Sequence, residues 1–166
     1  MSPLDELKGV VSPAILSRAR MVSSLLTDLG VPHVLVGGLA VGVHGYPRAT
    51  KDVDFMVGAE AFERTEPFLV YRDELAQIAR VGETDIMSVP RDVPALAAEL
   101  RLDDGVPVVS LRGLVVMKLL AFRARDRDDI RVLVGSDAGR VREVADHVRS
   151  VAPGLLTRLG EALAGL

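Results

Sequence analysis

The sequence predicts an α/β fold of the α+β type: a mixed β-sheet of about four or five strands flanked by helices, with a helical C-terminal part. Two observations indicate this class. Short apolar runs of strand length alternate with stretches whose apolar residues recur at helical spacing, and glycine or proline separates them. The chain also has 166 residues, 49% of them hydrophobic, which is enough to bury one core made mainly of leucine, valine and alanine.

Composition excludes several classes of protein. The net charge of −3 gives no overall footprint for nucleic acid, so any RNA or DNA contact has to be local. The absence of cysteine excludes disulfides, thiolate metal sites and cysteine nucleophiles. Charged residues at Asp5, Glu6 and Lys8 interrupt the N-terminus, and no apolar run approaches the length of a membrane span. We therefore expect a cytoplasmic protein with no membrane segment.

The first predicted elements are a helix and a strand. Apolar residues recur at helical spacing from Pro13 to Leu29, and Gly30 with Pro32 ends this amphipathic packing helix. A short apolar strand at 34–36 follows. We interpret the histidine that precedes this strand as a structural residue.

A glycine pair directly follows this strand. Gly37 and Gly38 open a short apolar helix that lasts to Gly45. A helix that starts straight after a strand directs unpaired N–H groups outward, and phosphate is their usual ligand. Glycine also lets the backbone approach a ligand without a Cβ in the way. The pair therefore predicts a phosphate-binding turn.

Two carboxylates mark the next strand. Asp52 and Asp54 alternate with Val53 and Phe55, so both acids share one face of the strand. Like charges so close are costly unless a cation lies between them, and hard divalent cations prefer oxygen ligands. The strand therefore predicts a metal site. In the polar connection before it, Arg48 is either a solvated surface residue or a group that neutralises triphosphate charge.

The middle of the chain gives weaker patterns. We expect a helix from Ala59 to Leu69 and a strand from Leu75 to Val81. A hairpin turn at 82–83 then leads into a strand at 84–89, which carries Asp85. Glu83 has the same parity on this strand and is the alternative to Asp85 as a functional acid.

The following segment should complete the sheet. A short helix is expected from Ala95 to Leu102, followed by a turn at 103–105. A last strand at 106–109 should lie at the sheet edge, because Pro107 cannot donate to a ladder. Ser110 is placed to cap the helix that follows.

The C-terminal part should be helical. Between Arg112 and Arg131 there are six basic and three acidic residues, a local charge of +3 in a chain with a negative total. Lys118 lies in an otherwise apolar helix within this stretch. The basic stretch is either a solvated helix end with mutual ion pairs or a triphosphate-binding surface.

Two more helices are expected at 141–151 and 155–163. We divide the chain into a core at 1–110 and a helical part at 111–166 of the same compact domain.

These motifs together carry a resemblance. Gly37-Gly38, a short helix, Gly45, Arg48-x-Thr50 and Asp52-Val53-Asp54 resemble the minimal nucleotidyltransferases of the DNA polymerase β superfamily. The pattern is closest to the branch that includes toxins of toxin–antitoxin systems, which is similar in its Gly-Gly pair where many other members have Gly-Ser. The resemblance covers the chain best between residues 34 and 57.

The resemblance implies a set of roles. Asp52, Asp54 and Asp85 would be the catalytic and metal-binding acids, holding two Mg²⁺ ions for which Mn²⁺ can substitute. The nucleoside triphosphate, such as ATP, would be bound by Gly37, Gly38, Arg48, Thr50 and Lys118. In the toxin-like branch a lysine with arginine and aspartates after it lies over the nucleotide, so Asp128 or Asp129 is expected to orient Lys118.

The implied function is nucleotidyl transfer from the triphosphate to an acceptor, with release of pyrophosphate. The acceptor stays open between RNA such as tRNA, a protein and a small molecule, and a cognate antitoxin would be a protein partner. Two alternatives stay open as well: an inactive nucleotide-binding or antitoxin-like interaction module, and a metal-dependent phosphohydrolase that uses the same acids.

Overall fold

A five-stranded mixed sheet forms the centre of the computed structural model, which describes residues 2–65, 68–80, 84–90, 100–103 and 105–165. The strands are β1 His33–Val36, β2 Val53–Val57, β3 Phe62–Thr65, β4 Phe68–Tyr71, β5 Thr84–Ser88, β6 Leu100–Asp103 and β7 Val106–Val109. The helices are α1 Pro13–Asp28, α2 Gly37–Val43, α3 Asp73–Arg80, α4 Leu111–Ala121, α5 Ala124–Val134, α6 Ala138–Val151 and α7 Leu156–Leu163. The predicted α+β class is confirmed.

The strand order is β5-β2-β1-β7-β6. β1 runs antiparallel to β2, with Leu35 opposite Phe55, and parallel to β7. β2 runs parallel to β5, and Asp54 is the register partner of Asp85. β6 pairs antiparallel with β7 at one edge, while β3 and β4 form a separate two-stranded hairpin. The register places two of the three predicted acids on adjacent strands.

The two faces of the sheet have different partners. On one face the buried His33 lies beside α1, where its Nδ1–H donates to the carbonyl of Val31 at 2.8 Å. Its Nε2 is 2.8 Å from the hydroxyl of Ser23 and accepts from it, because the carbonyl can only accept. The opposite face carries Asp54 and Asp85, since neighbouring residues of a strand alternate. The acids therefore lie across the sheet from α1.

Two predictions in the middle of the chain are wrong. The stretch expected as a helix forms one 3₁₀ turn at Ala59–Ala61 and then the β3–β4 hairpin, which the stacked rings of Phe62 and Tyr71 join at 4.7 Å between centroids. The stretch expected as a strand belongs to α3, which buries Leu75 and Ile78. Their spacing of three residues puts both on one helix face.

The sheet edge near β7 also differs from the prediction. Leu100–Asp103 is strand β6, although a helix was expected to reach Leu102; residues 95–99 lie outside the described part. β7 is therefore an inner strand, between β1 and β6, despite Pro107. A proline removes only one donor, so β7 can still pair with β1 through Val108 and with β6 along its length. The turn expected at 82–83, including Glu83, lies outside the described residues.

The predictions of the N-terminal helix and of the C-terminal helices are confirmed. α1, α6 and α7 follow the expected ranges within a few residues. Ser110 caps α4, because its hydroxyl accepts from the N–H of Gly113 at 3.1 Å. No helix in the described part of the chain combines the length and the apolar character that crossing a bilayer requires.

Candidate functional site

A cleft of about 400 Å³ opens between the acid-bearing edge of the sheet and helices α4 and α5. The eight residues proposed from the sequence all line it: Gly37, Gly38, Arg48, Thr50, Asp52, Asp54, Asp85 and Lys118. They come from four stretches of the chain, at residues 37–38, 48–54, 85 and 118. The tertiary structure therefore brings the whole predicted set to one place, and their individual roles stay predictions.

The three acids differ in their surroundings. Asp54 on β2 is partly buried, and its register partner Asp85 on β5 is exposed to the cleft. Neighbouring strands lie about 4.8 Å apart, so these carboxylates are close neighbours on one face. Asp52 directly precedes β2 and is also exposed. The site thus has one enclosed acid beside two solvated ones.

Electrostatics single out Asp54. Burial raises its pKa from the ordinary 3.8 to about 6, and the negative charges of Asp85 and Asp52 add to the effect. The positive charge of Lys118 and a hydrogen bond from the N–H of Gly38 act in the opposite direction without cancelling it. Ionised Asp54 is therefore costly in the protein alone, and a cation in the cleft would remove much of that cost.

The donor set fits a hard cation. Asp52, Asp54 and Asp85 offer only carboxylate oxygens, the ligands that Mg²⁺ prefers. In the protein alone, however, no three acidic or histidine side chains of the described residues are arranged to hold a metal ion. An ion bound here would therefore have to draw the carboxylates together.

The glycine turn fits tightly against this strand. Gly37 has φ +64°, and a Cβ there would overlap the Asp54 carboxylate. A Cβ on Gly38 would lie 2.9 Å from the hydroxyl oxygen of Thr50, which in turn donates to the carbonyl of Asp52 at 3.4 Å. The N–H of Gly38 is hydrogen-bonded to Asp54. The glycines thus let the strand-to-helix turn approach the carboxylate directly.

Lys118 lies on the other wall and is only 8% exposed. Its ammonium group is 2.9 Å from a carboxylate oxygen of Asp126 and 2.8 Å from one of Asp129. It therefore neither extends to solvent nor belongs to a solvated helix end. A buried ammonium with two carboxylate partners is a fixed positive charge at the cleft.

Two arginines complete this ionic network. Arg48 binds Asp129 with both arms of its guanidinium, at 3.1 Å through Nε and 2.9 Å through the terminal nitrogen. Arg123 donates to Asp126 through its side chain at 2.8 Å and its backbone N–H at 3.1 Å. Burial acts to raise the pKa of Asp126, but the hydrogen bonds from Arg123 and Lys118 outweigh it and lower that pKa. Three cations and two carboxylates thus form one connected ionic network.

Sequence reasoning missed two members of this network, Asp126 and Arg123. It named Asp128 or Asp129 as the partner of Lys118; Asp129 is one, but Asp128 is exposed and lies 3.5 Å from Arg131. The second partner is Asp126, which was not singled out. A spacing of three residues places Asp126 and Asp129 on the same face of α5 as the buried Ile130, a signal the sequence does contain.

Comparison with known proteins finds similarity only to solved structures. No family model and no curated protein sequence matches the chain. Among solved structures, the chain is similar to the crystal structure of an antigenic nucleotidyltransferase-like protein from Paracoccidioides brasiliensis. The two share 17% identity at a TM-score of 0.45, over 90% of this chain and 94% of the other. At that distance no activity or site is transferred to this chain.

Proposed function

We propose that this protein is a metal-dependent nucleotidyltransferase. It would transfer a nucleotidyl group from a nucleoside triphosphate to a hydroxyl-bearing acceptor and release pyrophosphate. The observation that supports this best is the cleft of about 400 Å³, which is lined by three carboxylates and by the cationic side chains of Arg48, Lys118 and Arg123. Oxygen ligands for a cation on one wall and positive charge on the other are what a metal-bound triphosphate requires.

The metal would be held by Asp52, Asp54 and Asp85. Their oxygen-only donor set and the raised pKa of Asp54 support this assignment. When bound, Mg²⁺ supplies charge neutralisation for the phosphate oxygens and for the departing pyrophosphate. Mn²⁺ has similar ligand preferences and would substitute.

The remaining chemistry falls to the protein's own groups. Arg48 and Arg123 would attract the triphosphate, and Lys118 would contribute a fixed positive charge beneath it. Since Asp126 and Asp129 already bind Lys118, we assign it an electrostatic role at the base of the cleft and give the direct phosphate contacts to the arginines. The exposed carboxylate of Asp85 would accept the proton of the acceptor hydroxyl.

A nucleotide-binding module without turnover is the second candidate. The ion pairs of Lys118 favour it, because two of the three N–H donors of its ammonium group are already directed at Asp126 and Asp129 and not at a ligand. The absence of a preformed three-ligand metal group among the described residues points the same way. Only the sequence motif supports a toxin-like role with a protein antitoxin, and this role is part of the leading proposal.

The two candidates separate in one experiment. The protein is incubated with each α-³²P-labelled ribonucleoside triphosphate and Mg²⁺ or Mn²⁺, in the presence of total RNA, of protein or of small hydroxylated molecules. Transfer predicts label in one acceptor class with equimolar pyrophosphate. Asp54→Asn should abolish it, and Asp28→Asn, at an exposed acid of α1, should not. Nucleotide binding without label or pyrophosphate would support the binding module, and inorganic phosphate without labelled acceptor would indicate a phosphohydrolase.

A further inference from the structure

Phe122, at the C-terminal end of α4, has an unusual backbone conformation. Its φ of 50° and ψ of 33° lie in the left-handed region, and no other non-glycine residue of the described chain has a positive φ. Helices commonly end in this conformation, but the residue there is usually glycine, because a side chain makes it costly. A phenylalanine at this position suggests that its ring has a task that glycine cannot perform.

The ring contacts two guanidinium groups. Those of Arg127 on α5 and Arg158 on α7 lie 5.5 and 5.3 Å from its centroid, within the range of cation–π attraction. Arg158 also donates to the carbonyls of Leu119 at 2.9 Å and Leu120 at 3.1 Å, which belong to the last turn of α4. These contacts join three helices at the point where the chain reverses.

The turn at Phe122 lies directly before two residues that line the cleft. α5 begins two residues after Phe122, so the turn sets where Arg123 and Asp126 lie relative to α4. Both residues line the cleft, and Asp126 binds Lys118 one helix back at 2.9 Å. A change in the turn would therefore move an ionic partner of Lys118 and one cation of the cleft together.

We infer that Phe122 is a positioning residue for the cleft: its left-handed turn, held by Arg127 and Arg158, places Asp126 on Lys118 and Arg123 at the cleft wall. The catalytic part of this inference rests on the proposed transferase function. The positional part stands on geometry alone, so it has a test that needs no activity.

Lysine labelling provides that test. The chain has three lysines, and in the folded protein Lys8 and Lys51 are exposed while Lys118 is buried between two aspartates. N-hydroxysuccinimidyl acetate should modify Lys8 and Lys51 quickly. Lys118 should react at least about tenfold more slowly, because it must wait for local opening. Mass spectrometry gives all three rates from one sample, with the exposed lysines as internal standards.

Phe122→Gly removes the ring but suits the left-handed backbone. We expect the labelling rate of Lys118 to rise about fivefold or more with the melting temperature retained, through easier local opening. Turnover should fall about tenfold or more in kcat, since small displacements in a charged site are costly. Phe122→Trp, which keeps an aromatic ring over both guanidinium groups, should restore protection and turnover. Val132→Ala, at an exposed residue of α5, should match the wild type.

The outcomes separate the two claims. Unchanged Lys118 labelling in a folded Phe122→Gly protein overturns the positioning role. If that variant loses its cooperative melting transition, Arg127→Gln takes its place, and wild-type labelling of Lys118 there overturns the role equally. Faster Lys118 labelling in a protein that transfers no nucleotide under any condition supports the role of Phe122 and removes the transferase proposal instead.

Discussion

Replacing Asp54 by asparagine should make the metal-free protein more stable, and the gain should depend on pH in a defined way. Asparagine has nearly the same shape, and its carbonyl oxygen can still accept the hydrogen bond from Gly38. It carries no charge beside Asp52 and Asp85. The substitution therefore removes an electrostatic cost while leaving the packing in place.

The pKa of Asp54 gives the size of the gain. A folded-state pKa of about 6 against an ordinary 3.8 means that the folded protein holds the proton more tightly than the unfolded chain. Stability from this group is therefore fully present below pH 3.8 and is lost as the pH rises through about 6. The loss amounts to about 1–2 kcal/mol at pH 5 and about 3 kcal/mol at pH 8. For a domain of this size, the latter corresponds to about 6–12 °C in melting temperature.

Thermal unfolding of both proteins in EDTA at pH 4, 5 and 8 measures this gap. Asp54→Asn should melt close to the wild type at pH 4 and well above it at pH 8, and Asp28→Asn should show no such divergence. Adding Mg²⁺ at pH 8 should stabilise the wild type more than Asp54→Asn, since the variant lacks one of the three carboxylates proposed to hold the ion. An Asp54→Asn protein that melts at or below the wild type at pH 8 would refute the electrostatic argument.

Three further predictions concern the surroundings of the cleft. Asp129→Ala should lower the free energy of unfolding in urea by about 3–5 kcal/mol, because it removes the carboxylate that Arg48 binds and leaves Lys118 with Asp126 alone. Asp128→Ala, at the exposed neighbour, should cost under about 0.5 kcal/mol, and equal losses would contradict this. Gly37→Ala should lower the melting temperature more than Gly45→Ala: both positions have positive φ, but only at Gly37 would the Cβ meet the carboxylate on β2. Burial lowers the pKa of His33, so the stabilising effect of the neutral imidazole should be lost as the pH falls below 6.5. The difference in unfolding free energy between the wild type and His33→Gln should therefore shrink below that pH, and a constant difference from pH 8 to 5 would argue against a neutral buried imidazole.

Local patterns in the sequence determined much of this protein. The alternation of Asp52 and Asp54 with apolar residues fixed which way the acids face, and Ser110 marked the start of α4, because both signals depend on backbone periodicity over a few residues. The glycine pair likewise marked a turn that a Cβ would obstruct. These features, together with the helical spacing of α1, α6 and α7, were enough to predict the α+β class. With the motif resemblance they also predicted eight of the residues that line the cleft, but not Arg123 or Asp126.

Only the tertiary structure decided how those residues pair. Arg48 and Asp129 are 81 residues apart, and nothing in either local segment shows that the guanidinium will bind that carboxylate. The same holds for β6, which becomes a strand by pairing with β7, and for Lys118, whose partner Asp126 lies on the next helix. Pairing of strands and of buried charges depends on which distant groups share one desolvated volume, and that is a property of the assembled fold.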